Sequence, residues 1–130
     1  MTIFSRIIAG EIPCYKIYED EYIFAFLDIH PHTLGHTLVV PKIEVDHFSD
    51  LPEPYYTALF HVAKKISKAI QSATWCERVG AIFAGFDVPH VHYHLIPMTQ
   101  SSDLDFARAH TESAEAMTLI AEKIRQALPV

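Results

Sequence analysis

HVHYHLIP, residues 90–97, sets three histidines on alternate positions and closes on a proline. An extended strand turns successive side chains to opposite faces, so His90, His92 and His94 are expected on one face and Val91, Tyr93 and Leu95 on the other. The spacing predicts a β-strand with an apolar side for a core and an imidazole side for chemistry. A lone strand histidine is ordinary. Three on one face crowd groups that repel when charged and lose hydration when buried, so packing alone is a poor account of them. Two chemistries use such a patch. One is zinc ligation with an open coordination position. The other is phosphate binding, in which a neutral imidazole attacks phosphorus while its neighbours donate to the oxygens. An imidazole of ordinary pKa, ~6.5, keeps a nucleophilic nitrogen available at neutral pH.

Outward from this strand, RVGAIFA (78–84) reads as its partner across the short loop GFDVP (85–89). CYKIYED (14–20) and YIFAFLDI (22–29) read as a hairpin turning at Asp20 and Glu21, and HTLVVPK (36–42) as a further strand after the loop HPHTLG (30–35). Leu59, Val62, Ala63, Ile66 and Ile70 recur at helical spacing, and Asp50 with Glu53 has the capping-box spacing, so an amphipathic helix is expected over 51–73. TIFSRIIAG (2–10) allows a short helix stopped by Gly10. Met117, Ile120, Ala121, Ile124 and Leu128 predict a C-terminal helix over 111–128. Five largely consecutive strands with two substantial helices indicate an α+β fold built on an antiparallel sheet.

A chain of 130 residues fits one domain, 1–130, with a core over 1–100 and the last helix appended. A net charge of −6 argues against a broad basic surface for nucleic acid or an anionic membrane. No apolar run approaches the roughly 20 residues that span a bilayer, and no leader-like segment opens the sequence. A cytoplasmic protein is expected, with Cys14 and Cys76 as reduced thiols.

H-x-H-x-H followed by two apolar residues resembles the signature of the histidine triad family of nucleotide hydrolases and transferases. IFSRIIAGEIP (3–13) is similar to that family's opening segment, and FAFLDIHPHTLGHTLVVPK (24–42) to its central strand pair. The resemblance implies a homodimer whose sheets join into one, hydrolysis or transfer at the α-phosphorus of a purine nucleotide conjugate, and no cofactor. It implies His92 as the nucleophile, with its other nitrogen donating to the His90 carbonyl. His94 and His36 would hold the phosphate oxygens, and Asp28 the ribose hydroxyls. Ile3, Phe4, Ile7, Phe26 and Ile29 would form the slot for the base, whereas spacing alone reads them as core. His30, His32, His47, His61 and His110 are left as surface or structural residues.

Two departures from the family pattern stand out. Phe86 and Asp87 occupy the loop where many members carry a glutamine and a small hydroxyl or acidic residue, which bears on turnover and leaving-group preference. Thr2, Ser5 and Glu44 stand where some bacterial relatives place ligands of a structural zinc, so no such metal is expected here. Two competing functions follow: a nucleotide sensor using the same pocket with little turnover, and an enzyme with zinc on the three histidines.

Overall fold

IFAFL, residues 23–27, is buried at every position, which marks a strand covered on both faces. In the computed structural model, which describes residues 1–129, this strand lies second in a five-stranded antiparallel sheet. Val130, the last residue of the expected domain, lies outside the described residues. The strands are β1 (Lys16–Glu19), β2 (Ile23–Leu27), β3 (Thr37–Pro41), β4 (Arg78–Phe83) and β5 (Tyr93–Met98), in the spatial order β1-β2-β3-β5-β4. The helices are α1 (Ile3–Ile8), α2 (Tyr55–Thr74) and α3 (Ala114–Ala127). The α+β class and the antiparallel sheet agree with the expectation from sequence.

Strand alternation feeds two cores. Ile23, Ala25 and Leu27 of β2, with Val39 of β3 and Leu95 of β5, pack against Leu59, Val62, Ile66 and Ile70 of α2 and Met117, Ile120 and Ile124 of α3. Phe24 and Phe26, with Leu38 and Val40, face the other way onto Phe4 and Ile7 of α1. Burying such side chains stabilises the fold by about 1.5–3 kcal/mol each, which fixes the register, since a one-residue slip would exchange the two faces. Leu38 pairs with His94 across β3 and β5, so the histidine patch shares the α1 face of the sheet.

Three expectations need correction. The large helix begins at Tyr55 rather than 51, because Pro52 and Pro54 cannot continue it and residues 48–50 form a separate 3-10 turn. Its N-terminus is served by Glu53, whose carboxylate accepts from the Thr57 backbone and hydroxyl, in place of an Asp50 capping box. The last helix spans Ala114–Ala127 within the expected 111–128, capped by Ser113. Finally, of the three alternating histidines only His94 belongs to a regular strand. His90 lies in a bend, its N–H on the Val88 carbonyl, and His92 just ahead of the strand, where the ladder has ended and the His90 carbonyl is free for a side chain.

Candidate active site

His90, His92 and His94 are all buried, and their ring orders follow from which partner can only give or only take a proton. A carbonyl oxygen accepts, so His92 carries its proton on Nδ1 and donates to the His90 carbonyl at 2.7 Å. Its Nε2 is left with a lone pair. The backbone N–H of His32 donates to Nδ1 of His36 at 3.1 Å, so the His36 proton sits on Nε2 and is donated to Nδ1 of His94 at 2.8 Å. That leaves His94 with an N–H at Nε2. One nucleophilic nitrogen and one donor thus stand on adjacent rings, 5.1 Å between centroids.

Burial disfavours the charged forms of His36 and His94. It pushes the His36 pKa down to about 2 and that of His94 down to about 4, with neighbouring histidines adding to the effect. His90 is also lowered, chiefly by burial. Its Nε2 donates to the Pro41 carbonyl at 2.9 Å, so its Nδ1 accepts from the Thr2 hydroxyl at 2.7 Å. The Thr2 oxygen in turn accepts from the Ser5 backbone, capping α1, while Glu44 accepts from the Thr2 backbone at 2.8 Å and from the Ser5 hydroxyl. These bonds hold the Glu44 carboxyl below the usual range. Thr2, Ser5 and Glu44 therefore tie α1 to the first histidine, with their polar atoms bonded to one another and to His90.

Asp28 follows β2 and lies beside the patch. Its Oδ1 accepts from the His30 backbone at 2.9 Å and its Oδ2 lies 3.7 Å from His36 Nε2. Burial raises its pKa, opposed by the His30 hydrogen bond. Asp28, His36 and His94 are the one group among the described residues whose three ligand atoms lie within 4.8 Å of one another, but both ring nitrogens of His36 are already bonded. This differs from the zinc alternative drawn from sequence, because both ring nitrogens of His90 and one of His92 are already bonded.

The expected base-slot residues divide. Phe4, Ile7 and Phe26 come together in the second core, and the Phe4 ring lies 4.9 Å from His92. Ile3 and Ile29 do not join that core and stand half or more exposed. His36 lies behind His94 with both ring nitrogens engaged. Phe86 is almost fully exposed.

Of the two places expected for His32, surface or structural, the structure shows the second. His32 is buried beside His36 and His94, with Nδ1 donating to the Asp103 carbonyl at 2.9 Å. Phe106 lies beside it, 4.8 Å from His32 and 5.3 Å from His94 between centroids. The loop HPHTLG carries no periodicity, and the cover over it comes from residues 101–108, far along the chain. Only the local density of histidines in 30–36 pointed there.

The HIT domain family model matches residues 9–101, most of the chain. An uncharacterized HIT-like protein of Borreliella burgdorferi is 36% identical over 120 residues, covering 87% of this chain and 86% of that protein. The adenosine 5'-monophosphoramidase of Saccharomyces cerevisiae is 41% identical over 97 residues, covering 73% of this chain and 61% of that protein. Among solved structures, a Hit-like protein from Bartonella henselae superposes with a TM-score of 0.86 at 30% identity, covering 98% of this chain and 96% of that one.

Proposed function

The chain belongs to the HIT domain family, and from that premise we propose that it hydrolyses or transfers nucleotides at the α-phosphorus of a purine nucleotide conjugate, through His92. The observation that carries this reading is the proton order of the patch: a lone pair on His92 Nε2 beside an N–H on His94 Nε2. A relative named as an adenosine 5'-monophosphoramidase supports nucleotide hydrolysis at the level of the family.

In the first step His92 Nε2 forms a bond to phosphorus as the bond to the leaving group breaks. The electron pair departs with the leaving group, which takes a proton from the medium. The imidazole is then positive, and its Nδ1–H on the His90 carbonyl holds that charge in place. In the second step water attacks, gives its proton to the medium, and returns the electron pair to His92, releasing a nucleoside monophosphate. His94 Nε2–H donates to the phosphate oxygens throughout. His36 positions His94 and fixes its tautomer. Asp28, partly exposed beside the patch, would accept from the ribose hydroxyls. We assign the base to the side of the patch where Phe4 packs against His92 and Phe26.

We also propose that the protein works as a homodimer joined along β4. This edge has six residues and a single charge, Arg78, and Phe83 stacks between Phe48 and Tyr93 beside it. The opposite edge, β1, is short, carries Lys16 and Glu19, and has its Lys16 carbonyl covered by Arg125 of α3. An uncovered, weakly charged edge is suited to pairing with its symmetry mate. No described helix is long and apolar enough to cross a membrane.

Release of AMP from adenosine phosphoramidate tests the reaction. His92→Ala is expected to reduce it by at least about a thousandfold while AMP still binds. Equal, undetectable release by both proteins, with AMP bound by each, would instead favour the sensor reading.

A further inference from the structure

The rings around the triad lie in sequence: Phe4 against His92, His92 against His94, and Phe106 against His94 and His32. α1 and its apolar cluster stand at one end of that row. The other end is made by residues 101–108, and its construction is specific. Asp103 is buried and accepts from the Thr99 and Gln100 backbone and from Arg108, while its carbonyl accepts from His32 Nδ1. Asp105 caps the next turn through the Ala107 backbone, and the His110 backbone N–H reaches the Pro31 carbonyl. The segment is thus fixed over the loop that carries His32.

Two groups at this end lack protein partners for the surfaces they present. Phe106 stands perpendicular to both imidazoles and keeps 45% of its surface exposed. His32 donates through Nδ1, so its Nε2 is an acceptor, and it makes no hydrogen bond among the described residues. No buried side-chain nitrogen or oxygen among those residues is left unpartnered, so this atom reaches solvent. An acceptor and an open aromatic surface therefore adjoin the ring that donates to phosphate, on the side away from the base slot. In-line displacement sends the leaving group away from the nucleophile.

We propose that His32 and Phe106 form the leaving-group subsite of the triad, selecting a planar aromatic leaving group whose N–H donates to His32 Nε2. This rests on the reading of His92 as the nucleophile at phosphorus. It adds a preference in the departing half of the substrate, set by residues from the 30–36 loop and the 101–108 segment. Stacking and edge contacts between aromatic groups are strong enough to decide such a preference.

The test compares two AMP phosphoramidates, one releasing ammonia and one releasing aniline, in the native protein and two variants. Phe106→Ala changes a half-exposed side chain and should lower kcat/KM for the anilide about tenfold. His32→Asn keeps a donor for the Asp103 carbonyl but takes the acceptor away from the Nε2 position, and because both substrates carry an N–H on the departing nitrogen it should lower kcat/KM about fivefold on each. Phe106→Ala should stay within about twofold of the native protein on the ammonia substrate, and both variants should bind AMP as it does. Equal losses on both substrates in Phe106→Ala, or no loss on either in His32→Asn, would overturn the subsite while leaving the His92 reaction standing. A native protein that releases AMP from neither substrate would remove the reaction itself, and the subsite with it.

Discussion

A hydrogen bond to a carbonyl decides the proton position of an imidazole more firmly than the ring's own preference, because a carbonyl cannot donate. His92 is set in this way by the His90 carbonyl, and His90 itself is held from both sides by Pro41 and Thr2. Thr2 is therefore a positioning residue as well as the cap of α1. Thr2→Val should cost about 1 kcal/mol of stability by urea denaturation, and lower kcat more than it changes AMP affinity. Thr2→Ser should restore both. A fall confined to AMP affinity would mean that the hydroxyl serves α1 alone. At this scale the sequence was only partly readable. The spacing of 90, 92 and 94 set the three rings on one side, and the neighbour of His92 was legible through the family pattern. The link from Thr2 to His90 joins residues 88 apart, and that from Glu44 to Thr2 joins residues 42 apart, so neither leaves a local trace. For the same reason the sequence could not choose between a surface and a structural place for His32: its burial depends on Asp103 and Phe106 folding back over it.

Elements follow the apolar periodicity wherever periodicity exists. β2 alternates between two cores, α2 and α3 present single apolar faces, and each was visible in sequence. Boundaries were legible only where no second signal competed. Pro52 and Pro54 displaced the start of α2, and the end of strand pairing at Tyr93 left His90 and His92 outside the strand. The turn entering β3 has its own requirement. Gly35 has φ +105°, and a Cβ there would lie 3.0 Å from the Thr74 side chain and 3.3 Å from that of Pro97. Gly35→Ala should destabilise the fold by about 2 kcal/mol or more in a denaturant titration, and displace His36 from His94. A variant of native stability would show that the turn relaxes freely.

Over the whole molecule, the buried histidines tie stability to pH. In the unfolded chain His36 and His94 take up protons near their ordinary value of 6.5, but in the fold only near about 2 and about 4. Below pH 6.5 the unfolded state thus binds protons that the native state refuses, and stability declines as the pH falls. The slope approaches about 1.4 kcal/mol per pH unit for each group, so unfolding free energy should drop by about 2 kcal/mol between pH 6.5 and 5.5. Urea titrations at those two values check this, and a flat profile would mean that the two rings are hydrated in solution. The pairing of β4 edges belongs to this scale too. Sedimentation should give twice the chain mass, and a charge at Ala81, an exposed position of β4, should halve it.

The central claim is a covalent bond between phosphorus and Nε2 of His92. Intact-protein mass spectrometry after brief reaction with adenosine phosphoramidate and an alkaline quench, which spares phosphorus–nitrogen bonds, tests it most directly. The account predicts one added adenylyl group, mapped to the peptide carrying residues 90–97 and absent from His92→Ala. Steady release of AMP with no adduct, or an adduct that persists in His92→Ala, would contradict it.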